Sequence, residues 1–154
     1  QLQRCLRDRF HSKALCVEGL ATPLEVEVAA TQAQRNRGLM ERESLARNAG
    51  MLFLFDGAMA ESVGFYMYRT LIPLDVAFAD PGGEIVSIMT MTPCPHGNPR
   101  RCEIYRPGRA FVSALEMNAG FFERRGVKKG DRLFEPSDGR CDLVPGEEPI
   151  SDSN

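Results

Sequence analysis

The stretch from Val63 to Thr92 limits the possible folds more than any other part of the chain. Ile72, Leu74, Val76 and Phe78 share one parity while Pro73, Asp75, Ala77 and Ala79 take the other, so an extended segment puts its large apolar side chains on one face. Asp80-Pro81-Gly82-Gly83 supplies turn residues, and Glu84 to Met91 resumes in extended style. A half-buried strand followed by a hairpin is the expectation. Upstream, Val63, Phe65 and Met67 alternate with Tyr66, Tyr68 and Thr70, which predicts a further strand leading into that hairpin. Tyr66, Tyr68, Arg69, Thr70 and Asp75 thus stand next to an apolar core, and with Glu116 they form the candidate ligand-binding set.

Other segments fall into place around this centre. Leu24, Val26 and Val28 alternate with Glu25 and Glu27, the pattern of a strand with one face in water. Ala14 to Val17 begins an earlier strand, and Met51 to Phe55, five large apolar residues in a row, reads as a strand buried on both faces. Thr31 with Gln34 three residues on is a capping box for a short helix. Asn118 is the expected cap of a second helix, Ala119 to Arg125, which Gly126 ends. Ala110 to Met117 and Arg132 to Phe134 complete the strands. The core is expected to gather Phe53, Phe55, Phe65, Ile72, Leu74, Val76, Phe78 and Leu115. Short spacings between strands and only two short helices argue for a mainly β, single-domain fold, an antiparallel sandwich or partly closed barrel. Its limits are residues 14–135, between a poorly ordered basic lead-in, 1–13, and an acidic tail, 136–154, too poor in apolar groups to order itself.

At 154 residues the chain can bury about 70% of the surface its unfolded form exposes. A net charge of −2 gives no electrostatic footprint for nucleic acid, and no apolar run approaches the roughly 18 residues of a spanning helix, so neither nucleic acid nor membrane insertion is expected. The chain opens at Gln1 rather than Met, which suggests a preceding leader.

Five cysteines stand at 5, 16, 94, 102 and 141, with no C-x-x-C spacing. Cys94 and Cys102 lie in a loop, Thr92 to Gly108, rich in Pro, Gly and Asn, whose length marks a segment that covers or forms a site. A disulfide between the two is expected, with His96 an exposed loop residue. The competing use of Cys94, His96 and Cys102 is a zinc or copper site, or a Cys94 nucleophile with His96 as base. Asp75 and Glu116, the acids embedded in apolar strand patterns, could share a proton or a cation. Met67, Met89, Met91 and Met117 read as core filler rather than copper ligands. Phosphate-loop and nucleophile-elbow motifs are absent.

Arg37-Gly38-Leu39-Met40, Gly50-Met51-Leu52-Phe53, Phe65-Tyr66-Met67-Tyr68-Arg69-Thr70 and Ile72-Pro73-Leu74-Asp75, followed by Pro93-Cys94, Leu115-Glu116, Gly120 and Gly130-Asp131, form an ordered series. Together they resemble the domain of unknown function 192 family over residues 24 to 135. The resemblance implies a jelly-roll-like β domain, commonly exported behind a signal peptide, with no established activity. The chain departs from the family's block at Tyr66, where the family has Trp, at Tyr68, where it has a basic residue, and at Arg69, where it has Asn or Asp. The functional expectation is an exported, non-enzymatic binding or accessory domain for a small polar ligand, with no cofactor and no metal. The alternative is a hydrolase or metal-dependent enzyme using Asp75, Glu116 or the Cys94-His96-Cys102 loop.

Overall fold

A computed structural model describes residues 9–142. Its strands are β1 (His11–Val17), β2 (Leu24–Ala29), β3 (Ala49–Met59), β4 (Leu74–Ala79), β5 (Ile85–Met91), β6 (Phe111–Asn118) and β7 (Leu133–Phe134). Two helices, α1 (Gln32–Arg37) and α2 (Phe121–Arg124), and one 3-10 turn (Pro99–Arg101) complete it. The strands form one sheet in the order β5-β4-β6-β3-β2-β1-β7. The sheet curls into a half-barrel whose two ends meet, because the Ile85 amide donates to the Asp131 carbonyl and the Leu133 amide to Gly83, each at 2.8 Å. The fold is therefore mainly β and partly closed, as expected. The pairing is antiparallel except between β2 and β3, which run parallel with α1 in the crossover between them.

The hairpin is realised: β4 and β5 pair, and Asp80 Oδ1 accepts from the Gly82 and Glu84 amides at 3.0 and 2.9 Å, closing the turn. β4 is not half-buried, however. All six of its residues are buried, because β5 and β6 flank it and both faces of the sheet are covered. The expected single core accordingly divides. Phe53, Leu74, Val76 and Phe78 lie in one cluster, joined at its edge by Phe55, Phe65 and Ile72, while Leu115 lies in another with Leu52, Ala77 and Met117. Leu115 pairs across from Leu52 and Ala77, and cross-strand partners share a face.

The predicted strand at 63–67 does not form. Phe65 makes only an isolated bridge to Tyr105, and the rest of 60–73 is turn and loop. Asn118 does not cap α2 either. Gly120, at φ 84, takes the cap position, and the Asn118 side chain donates instead to the Leu45 and Ala46 carbonyls. At the chain ends, β1 begins at His11, inside the expected lead-in. Residues 136–142 of the expected loose tail are held: Ser137 pairs with Arg140, and the Cys141 sulfur stands 2.07 Å from that of Cys16. The remainder of the lead-in, Cys5 included, and of the tail lies outside the described residues. Among the described residues no helix is long and apolar enough to cross a membrane.

Candidate functional site

A cavity of about 460 Å³ lies between α1, one face of β3 and β6, and the 60–73 loop. The helix that walls it is fixed locally. The Thr31 hydroxyl accepts from the Gln34 amide at 3.1 Å while Gln34 Oε1 accepts from the Thr31 amide at 3.1 Å and the Ala30 amide at 2.9 Å. The capping box read from the sequence is thus present. Gly38 ends the helix at φ 46 and ψ −133, and a Cβ there would stand 3.2 Å from the Phe53 ring, so the turn into Leu39 requires glycine for conformation and for space. Leu39 and Met40 then face the cavity. The opposite wall is aromatic. Phe53 and Phe65 have ring centroids 5.0 Å apart, Phe55 and Phe65 6.2 Å, and Phe78 and Phe111 back them.

Glu116 lines this cavity from the middle of the sheet, where β6 runs between β3 and β4 and its cross-strand partners are Met51 and Val76. It is 6% exposed, and among the described residues its carboxyl makes no hydrogen bond or ion pair. Loss of water on burial pushes its pKa up to about 8. With its pKa near 8 the carboxyl is mostly protonated at neutral pH, able to donate a hydrogen bond or to lose its proton to water when a cation pairs with it.

Of the other sequence-derived candidates, Tyr66 and Thr70 line the same cavity. Tyr68 stacks beside Tyr66 at 5.9 Å but does not line it. Arg69 points away, in an ion pair with Glu41, and its backbone is left-handed at φ 55. That conformation suits Asn, Asp or Gly best, which gives a backbone reason for the Asn or Asp of the family's block at this position. Asp75 is not brought to Glu116. It is opposite Met117, on the other face of the sheet, where its Oδ1 accepts from the Thr90 hydroxyl at 2.7 Å and its Oδ2 from the Gly120 amide at 2.9 Å. Those bonds tie β4 to β5 and to the start of α2, a structural use that links the Ile72-Pro73-Leu74-Asp75 block to Gly120.

The Cys94 and Cys102 sulfurs are 2.10 Å apart, at disulfide distance, which leaves no pair of thiolates for a metal. His96 beside them is half-buried rather than exposed. Their loop lines a separate, smaller cavity of about 220 Å³ and braces the wall of the larger one. Phe65 and Tyr105 exchange backbone hydrogen bonds of 2.9 and 2.7 Å, and Arg106 Nε donates to the Ser62 carbonyl at 2.9 Å. Met67, Met91 and Met117 are buried in the core.

Sequence reasoning missed Arg35, Arg37, Leu39, Met40 and Phe53 as lining residues. The available signal was the Arg37-Gly38-Leu39-Met40 block, which together with Phe53, Phe65, Tyr66, Thr70 and Glu116 brings four separated sequence blocks to one cavity.

Three comparisons bear on this arrangement. The family model DUF192, described as "Uncharacterized ACR", matches residues 14–134. Among solved structures, a proposed transcription regulator from Sinorhizobium meliloti 1021 superposes with a TM-score of 0.70 at 33% identity, covering 81% of this chain and 94% of its own. A protein of unknown function from Novosphingobium aromaticivorans superposes with a TM-score of 0.66 at 26% identity, covering 80% of this chain and 84% of its own. No curated protein matches the sequence.

Proposed function

The chain belongs to the domain of unknown function 192 family, and we propose that it acts as a binding or accessory module which takes a small polar ligand into the cavity under α1, without catalysing a reaction. One observation carries this reading: Glu116, a residue only 6% exposed, lines an open cavity of mixed apolar, aromatic and polar side chains, and its carboxyl has no partner among the described residues. Its oxygens open onto the cavity rather than being sealed in the core, so a ligand's polar atom can reach a carboxyl that no protein group engages. The apolar lining supplies affinity and the carboxyl supplies orientation.

The enzymatic alternative finds less support. Its two acids occupy opposite faces of the sheet, and Asp75 already accepts two structural hydrogen bonds. Among the described residues no three His, Cys, Asp or Glu side chains gather as a metal site would require. A role on nucleic acid is not adopted, given a net charge of −2. The reading includes export, which the two cysteine pairs at disulfide distance favour, since such bonds persist in oxidising compartments.

The test is a fragment screen on isotopically labelled protein followed by amide NMR. Saturable shifts are expected at Gly38, Leu39, Phe53, Phe65, Thr70 and Glu116. A screen in which every saturable shift falls elsewhere on the molecule would reject the cavity as the site.

A further inference from the structure

We infer that the inner end of this cavity receives an ammonium group, so that the ligand class is a small organic amine with an apolar body; the inference rests on the pocket reading above and narrows it. Three features of the lining lead there. First, neither cation of the lining, Arg35 or Arg37, pairs with Glu116. Arg35 is committed elsewhere, with Nη1 donating to the Ala30 and Leu54 carbonyls at 2.8 Å each and Nη2 to Gln32 Oε1 at 3.3 Å. Arg37 is exposed and lies over the Phe10 ring at 5.7 Å. Second, the lining that Glu116 shares includes four aromatic rings, Phe53, Phe55, Phe65 and Tyr66, and aromatic rings attract a cation more strongly once it is stripped of water. The same lining already holds one cation on a ring, the Arg35 guanidinium 5.2 Å from the Phe55 centroid. Third, a volume of about 460 Å³ admits a ring or short chain behind the ammonium group.

The charges around Glu116 are few. The titratable groups that share the cavity are Arg35 and Arg37 from α1, Asp56 from β3 and Tyr66 from the loop, while its cross-strand neighbours Met51 and Val76 carry none. Asp56 and Arg37 are both exposed, oppose each other in sign, and are screened by water. The inner end is therefore governed by Glu116 itself. The proton balance is simple: the amine arrives already protonated, Glu116 releases its own proton to water, and a carboxylate–ammonium pair replaces a neutral carboxyl. Each ligand bound at neutral pH displaces one proton from the protein.

The experiment uses three probes that share one ring, benzylamine, benzyl alcohol and benzoate, titrated by NMR and calorimetry between pH 6 and 8.5. Benzylamine is expected to bind at least tenfold more tightly than the other two at pH 8. Its affinity should rise about tenfold per pH unit and level off near pH 8, where Glu116 titrates. Calorimetry in buffers of different ionisation enthalpy should count close to one proton released per ligand at pH 6.5. Glu116→Gln, checked for folding by its melting curve, should abolish the preference for the amine and the proton release that accompanies it. Benzyl alcohol or benzoate binding at the cavity as tightly as benzylamine overturns the inference and leaves the pocket reading intact. No shift at the cavity amides with any of the three removes both.

Discussion

Glu116 sets the pH behaviour of the fold as well as the character of the cavity. Its pKa in the folded protein, about 8, lies above the ordinary carboxyl value of 4.5 because burial strips water from the charged form. Below about pH 4.5 both folded and unfolded chains hold the proton. Between there and about pH 8 the unfolded chain releases a proton that the folded chain keeps, so this residue lowers stability as pH rises through that window, and the loss is complete above it. Glu116→Gln is expected to be more stable than the parent at pH 8, by on the order of a few kcal/mol, and nearly equal to it at pH 4, measured by urea denaturation at both values. Equal stability at pH 8 would show that the carboxyl is hydrated rather than buried. Arg69 offers a second check. Its φ of 55 is a strained setting for a long side chain, and its ion pair to Glu41 is between exposed groups of little energetic worth. Arg69→Asn should raise stability by about 1 kcal/mol and leave cavity binding unchanged, which the melting temperature and the benzylamine titration read separately. An acid within an apolar strand run was legible in the sequence at both 75 and 116. That the two face opposite ways was not, because alternation fixes faces within a strand while register with β4 and β6 fixes them between strands.

At the scale of elements, the short-range signals were the readable ones. The capping box of α1 and the Asp80-Pro81-Gly82-Gly83 turn depend on side-chain-to-backbone bonds spanning two to four residues, and both appear where their residues stand. The 63–67 segment has strand alternation but forms a single isolated bridge, from Phe65 to Tyr105 forty residues on, so its pattern reports packing of Phe65 and Met67 against the core rather than a ladder. The parallel pairing of β2 with β3 was equally out of reach, because it depends on the path of the crossover through α1. That crossover now connects local structure to the site. Thr31→Ala removes one side of the capping box and should cost about 1 kcal/mol of stability. Because α1 and the turn that follows it supply the wall formed by Gln32, Arg35, Arg37, Leu39 and Met40, the same variant should weaken benzylamine binding and raise amide exchange at Gly38 and Leu39 while leaving the β4–β5 hairpin protected. Exchange that rises evenly over the whole sheet would instead mean that α1 unfolds only with the rest of the molecule.

For the whole molecule, the two cysteine pairs divide the work of holding the half-barrel. Cys94 and Cys102 are 8 residues apart, and bridging them stabilises by about 2.5 kcal/mol on the chain-entropy model, most of it felt in the loop that braces Phe65. Cys16 and Cys141 are 125 residues apart and enclose almost the entire sheet, which on the same model raises the figure to about 5 kcal/mol. The longer bridge also fastens the chain beyond β7 to β1, the strand that pairs with β7 near the seam where β5 meets 131–133. Cys141→Ser should therefore lower the denaturation midpoint more than Cys102→Ser. The site responds in the opposite order, since the short bridge lies behind the cavity wall and the long one does not: Cys102→Ser should weaken benzylamine binding, and Cys141→Ser should leave it within about twofold at temperatures where the variant is folded. Thiol counting on the unreduced parent, by denaturation with and without reductant, establishes first that both bridges form. A parent recovered from an oxidising compartment with Cys94 and Cys102 still free would remove both the short bridge and the export assignment it supports, whereas equal losses of midpoint in the two variants would reject loop length as the source of the difference.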